Sequence, residues 1–187
     1  MSLPYITSAA FSFSFLLILH LAVAGVQPQS PPTSASKNSM TATTAPPRRR
    51  NYIREFLQAH NKFRSAFHIQ PLTWDKNLTR YAWRWGEKRA EDCRMIHSYG
   101  PYGENMFWGK LEHWTPTEVV ESWAGEEKYY NLNTNECADG QTCGHYTQII
   151  WKESLRLGCA RVNCDNGELL VICEYDPPGN YVNEKPI

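Results

Sequence analysis

Six cysteines (Cys93, Cys137, Cys143, Cys159, Cys164 and Cys173) all lie from residue 93 onward in a chain of 187 residues. No other feature narrows the fold as much. An even set behind a secretory leader reads as three disulfides, and the N-terminus supplies the leader. Residues 1–24 contain no Lys, Arg, Asp or Glu. The run FSFSFLLILHLAVA at 11–24 is apolar apart from two serines and His20, and Ala22-Val23-Ala24 suits a signal peptidase. Residues 1–24 therefore read as a signal peptide, since the run is shorter than the roughly 20 residues that span a bilayer. No cysteine spacing is the C-x2-C of a zinc ribbon, and spacing alone leaves the disulfide connectivity open.

Residues 25–50 are rich in Ser, Thr, Pro and Ala and end in Arg48-Arg49-Arg50. Such a segment cannot bury enough apolar surface to offset its chain entropy, so it reads as a disordered stalk suited to O-glycosylation. The three arginines are either a solvated lead into the first helix or a processing site. The domain is expected over 51–187. The whole chain holds 19 basic and 19 acidic residues. Four of the basic ones and none of the acids precede Asn51, which leaves the domain with 15 against 19, a net −4. That balance argues against a nucleic-acid partner.

Within the domain, Ile53, Phe56, His60, Phe63 and Phe67 recur at three- and four-residue steps and predict a helix over 51–67. Asp75 can cap a second helix over 76–90, with Leu78, Ala82 and Trp85 inward. Asn77-Leu78-Thr79 is a glycosylation sequon on it. HSYGPYGENMFWG at 97–109 reads as a glycine-rich turn with a short apolar exit. Thr115-Pro116-Thr117-Glu118 is a capping box with proline at the first helical position, predicting a third helix to about Tyr130. Residues 131–141 read as a polar loop and 143–152 as a short helix. Two strands, 158–163 and 169–175, close the domain around the turn at 164–167. Helices outside a small antiparallel sheet make the fold class α+β, a sandwich.

Some residues break this packing pattern. Val119, Val120, Trp123 and Tyr130 define the buried stripe of the third helix, and Glu126 and Glu127 fall in the same arc. A buried carboxylate is costly without a cation or several donors, so one of these two points either to the rim or into a polar cavity. Glu104 lies in a tight Gly-Glu-Asn turn seven residues after His97, close enough for the chain to fold back on itself. His145 stands at the mouth of the short helix, where the helix dipole disfavours imidazolium and keeps the ring available to a metal. His60 interrupts the first apolar stripe and reads as a satisfied structural histidine, with Asn61 and Arg64 tying helix to loop.

Four segments, HNKFR (60–64), GENMFW (103–108), GHYTQIIWKES (144–154) and LVICEYDPPGNY (170–181), together resemble the signatures of the CAP superfamily. That superfamily comprises cysteine-rich secretory proteins, antigen 5 and pathogenesis-related proteins, and the likeness is greatest to the plant pathogenesis-related class 1 branch. The resemblance spans residues 51–187. It implies a three-layer α-β-α sandwich with disulfides Cys93–Cys164, Cys137–Cys143 and Cys159–Cys173. It also implies a cleft in which His97, Glu104, Glu126 and His145 could hold zinc or another divalent cation that the fold does not require. Of the two helix acids it selects Glu126.

The function implied is that of a secreted, apoplastic, monomeric defence protein. It would bind a sterol or fatty acid and act on microbial membranes. Two rival readings follow from the same residues. One is a zinc-dependent hydrolase or protease, for which Ser98 beside His97 is the available hydroxyl. The other is a precursor releasing the C-terminal peptide 177–187. Against the second, Glu174 stands where the family has a small polar or basic residue, and the chain ends in Pro-Ile where the family ends in Pro-Tyr.

Overall fold

Asn51 opens the first helix: its side-chain oxygen accepts the Arg54 backbone N–H at 3.1 Å, satisfying a donor that the first turn leaves orphaned. The computed structural model describes residues 51–110 and 113–187. The leader over 1–24 and the stalk over 25–50 lie outside the described residues. In chain order the elements are α1 (Tyr52–Ala66), β1 (Thr73–Trp74), α2 (Lys76–Arg89), β2 (Gly103–Gly109) and α3 (Pro116–Ala124). A 3-10 turn (Gly125–Tyr129) follows, then β3 (Tyr130–Asn131), β4 (Glu136–Cys137), α4 (Gly144–Ile149), β5 (Arg156–Asn163) and β6 (Leu169–Asp176). The capping box at Thr115 forms as the sequence predicts.

Four strands make one sheet in the order β1-β5-β6-β2. β5, β6 and β2 are antiparallel, whereas two-residue β1 pairs parallel to β5. Side chains alternate across the sheet, as the pleat requires. Leu157, Leu169, Val171 and Tyr175 pack under α1, α3 and α4 against Phe56, Val120, Trp123 and Ile149. Leu170, Ile172 and Ala160 pack on the opposite face with Ala82 of α2 and Met106 of β2. The result is the three-layer α-β-α sandwich. Each fully buried Leu or Ile contributes about 1.5–3 kcal/mol, so this doubly covered sheet is the main source of stability. All six cysteines are bonded, with the pairing the resemblance implies: Cys93–Cys164, Cys137–Cys143 and Cys159–Cys173.

Four local expectations change. Residues 103–109 form a full edge strand, because their partner β6 supplies a ladder that a glycine-bracketed sequence does not advertise. The third helix ends at Ala124; from Gly125 the winding tightens to 3-10, and Tyr130 starts a strand. The polar stretch 131–141 contains three of the four residues of a two-stranded ribbon, β3–β4. Ile53, read as inward-facing, is 47% exposed, because the buried stripe of α1 runs through Phe56, Ala59, His60 and Arg64.

Candidate functional site: two imidazole–carboxylate pairs

His97 follows α2 on a loop pinned at two points. The Cys93–Cys164 disulfide holds its start, and the Trp85 indole donates to the Ile96 carbonyl at 2.8 Å. Glu104 lies on β2, just after Gly103, where a Cβ would come within 2.2 Å of the Gln148 side chain. A larger residue there would push the Gln148 side chain aside. His97 Nδ1–H donates to Glu104 Oε1 at 2.6 Å, and the Ser98 backbone N–H donates to the same oxygen at 3.0 Å. Burial pushes the Glu104 carboxyl up, but the hydrogen bonds from His97 and Ser98 outweigh it and leave the carboxyl below its ordinary value. The bond to Glu104 raises His97, against partial desolvation. An open cleft of about 480 Å³ surrounds this pair, lined also by Gln148, Gly179 and Asn180.

The second pair answers why an imidazole stands at the mouth of α4. Glu126, aimed by the 3-10 turn, accepts His145 Nδ1–H at 2.6 Å with Oε1. With Oε2 it accepts the backbone N–H groups of His145 (3.0 Å) and Tyr146 (3.2 Å). One carboxylate thus caps the helix start and orients the ring. The His145 ring stacks on Trp123 at 6.1 Å between centroids, with 17° between planes. Trp123 is itself fixed by its indole N–H donating to the Met106 carbonyl at 2.9 Å. Glu127 is the exposed acid of the two.

Asn105 joins the pairs. Its Nδ2 donates to the His145 carbonyl at 3.0 Å and to the Tyr175 hydroxyl at 3.1 Å. His60, wholly buried, donates from Nδ1 to the Phe56 carbonyl at 2.8 Å, which leaves Nε2 to accept the Tyr175 hydroxyl at 2.7 Å. Burial pushes His60 down to about 4 and keeps it neutral. Asn61 accepts the Leu72 backbone N–H and donates to the Leu72 carbonyl. Arg64, 0% exposed, donates to the carbonyls of Gln70, Ile149, Trp151 and Ser154. It thereby closes the C-terminal end of α4.

The family resemblance implies all four head groups around one ion. In the fold each carboxylate is taken up by the Nδ1 of its own imidazole, and His145 and Glu126 are not part of the lining of the cleft around His97. Among the described residues no three His, Cys, Asp or Glu side chains are grouped to hold a metal. The donors that remain are the two Nε2 atoms. An imidazole backed at Nδ1 by a carboxylate is how metal-ligating histidines are oriented, so these two nitrogens are the ones that could serve a cation.

Two polar residues of the site, Asn105 and Gln148, went unread in the sequence, and Glu174 was noted there only as a departure from the family pattern. Glu174 pairs across the ladder with Glu104, is 0% exposed, and sets its carboxyl against that of Glu104. An acid inside the otherwise apolar LLVICEY was the available signal.

Comparison with known proteins agrees with this architecture. The cysteine-rich secretory protein (CAP) family profile matches residues 57–175. The chain belongs to the CAP family. Among its CAP relatives it is 47% identical over 139 residues to pathogenesis-related protein 1A of Nicotiana tabacum, covering 74% of this chain and 83% of that one. It is 40% identical over 177 residues to pathogenesis-related protein PR-1 of Medicago truncatula, covering 94% and 96%. The solved CAP-fold structure of BmVAL-1 superposes with a TM-score of 0.62 at 26% identity, over 72% of this chain and 81% of that one. The crystal structure of NaASP2 with Zn2+ gives 0.58 at 21% identity, over 72% and 84%.

Proposed function

We propose that this CAP protein is a secreted, apoplastic defence protein of the pathogenesis-related 1 type that acts by binding a sterol or other lipid, not by turnover. The observation that carries the binding reading is how the site's hydrogen bonds are arranged. Both imidazoles are held through Nδ1 by carboxylates, and the Ser98 backbone N–H donates to Glu104. All six cysteines are oxidised. Nδ1 pairing leaves each Nε2 free as a base, and a serine hydrolase would need a hydroxyl beside it; the Ser98 hydroxyl instead accepts the Gly100 N–H at 3.4 Å. The sequence similarity to the two plant relatives supports the defence role. Support for the lipid comes from a groove of about 460 Å³ between α1, α2 and the outer edge of β5. Its walls include Tyr52, Ile53, Phe56, Trp74 and Trp83, and its size is that of a small-molecule site.

A divalent cation such as zinc, held at the Nε2 atoms of His97 and His145, is a second part of the reading. It would supply a Lewis-acidic point apart from the groove, whose lining contains neither histidine. Calorimetric titration with zinc tests it: the parent chain takes up the ion, His97→Ala and His145→Ala each weaken uptake at least tenfold, and chelation leaves the chain folded. Uptake unaffected by either substitution removes the cation from the account.

Release of 177–187 as a peptide remains a competing use of the same chain. The segment is bonded to the body through Pro177, Gly179, Asn180 and Pro186, so release would first require that local structure to open.

A further inference from the structure

Helix α2 concentrates positive charge in a domain that is otherwise acidic. Its fourteen residues hold Lys76, Arg80, Arg84, Lys88 and Arg89 against one acid, Glu87. The rest of 51–187 holds ten basic and eighteen acidic residues. Lys76, Arg80, Arg84 and Lys88 recur every four residues, and all four are exposed. At that spacing they form one continuous row along the helix.

Beside the row lie large apolar side chains facing water. Trp83 is 50% exposed, Ile53 47% and Tyr52 43%. All three line the groove between α1, α2 and β5, and so do Lys76, Arg80 and Arg161, while no acid lines it. Arg161 lies over the Tyr52 ring at 4.7 Å. A solvated charged helix needs no exposed tryptophan. A surface that meets lipid headgroups does, because Trp and Tyr settle at the interface while Lys and Arg attract anionic lipid.

We propose that the exposed face of α2, with Tyr52 and Ile53 of α1, is the surface by which this protein docks on an anionic lipid bilayer. This deepens the lipid-binding reading by naming the face and the charge of its partner. It does not depend on whether a single sterol also enters the groove. Asn77, exposed on the same helix, would carry a glycan close to the cations, so the test uses the chain made without it.

The experiment is cosedimentation of the full secreted chain with vesicles of neutral phosphatidylcholine alone or with one-third phosphatidylserine. The chain is expected to bind the anionic vesicles at least tenfold more tightly and to release in about 0.5 M salt, where screening is strong. The double reversal Arg80→Glu/Arg84→Glu should lower binding at least tenfold, and Trp83→Ala about fivefold. The control Lys128→Glu/Lys152→Glu, with the same charge change elsewhere, should bind like the parent. Unchanged circular dichroism keeps each variant interpretable. Equal binding to neutral vesicles, equal losses in the control, or charge dependence without any effect of Trp83 overturns the proposal; the last pattern indicates a soluble polyanion. Cholesterol uptake that fails while vesicle binding persists would contradict the groove reading and leave this one standing.

Discussion

The side-chain amide of Asn105 donates to the backbone carbonyl of His145 at 3.0 Å, joining strand β2, which carries Glu104, to the helix that carries the second imidazole. Because the same nitrogen also donates to the Tyr175 hydroxyl, one residue ties both imidazole–carboxylate pairs to the buried chain Tyr175–His60–Phe56. Asn105→Ala should therefore leave two acceptors without their donor, at about 1–3 kcal/mol. Thermal melts should show that loss, and zinc titration should show weakened uptake although no proposed ligand has been altered.

Glu174 makes stability depend on pH. Burial first, then the neighbouring Glu104 charge, pushes its carboxyl from the ordinary 4.5 up to about 9. Between those values the folded chain keeps a proton that the unfolded chain has released. Stability is therefore full below about pH 4.5 and falls as pH rises toward about 9, by at most about 1.4 kcal/mol per pH unit. Glu174→Gln should flatten this slope. Denaturant melts of parent and variant should differ more in the variant's favour at pH 8 than at pH 4; parallel curves would contradict the buried neutral acid.

Arg64 is a structural cation. Its guanidinium reaches four carbonyls from within the core, a fork that a lysine ammonium cannot reproduce. Arg64→Lys should cost on the order of 3 kcal/mol, since buried acceptors lose charged donors. The melting temperature should fall with that loss, and hydrogen exchange should rise first in α4.

The C-terminal segment closes over the site's end of the molecule. Ser154 Oγ donates to the Pro177 carbonyl at 2.7 Å, the Gly179 N–H donates to Gln148 at 3.0 Å, and Asn180 Nδ2 donates to the Gly144 carbonyl at 2.8 Å. A Cβ at Gly179 would stand 2.6 Å from Trp151, which shows how closely the segment lies. A chain ending at Asp176 should melt about 5 °C or more lower, and added peptide 177–187 should partly restore it.

Much of this was legible in the sequence, for a physical reason. The apolar periodicities of α1 and α2, the Thr115 capping box and the apolar run of β6 are local signals, and each formed close to its expected bounds. Each imidazole also meets the glutamate that the resemblance assigns to the same cleft. Less legible was what depends on partners distant in the chain. Strand β2 exists because β6 lies beside it, Ile53 is exposed because Arg64 takes the inward stripe, and Asn105 matters only once α4 is overhead. The use of the carboxylates at Nδ1 is likewise a matter of side-chain geometry, on which residue type and spacing are silent.

Binding without turnover is the central claim, and a saturation titration with labelled cholesterol and labelled palmitate measures it most directly. The account predicts saturable uptake of at least one of them, unchanged by chelator and by His145→Ala. Absence of saturable uptake, together with a zinc-restored, His145-dependent hydrolysis of ester or peptide, would contradict it.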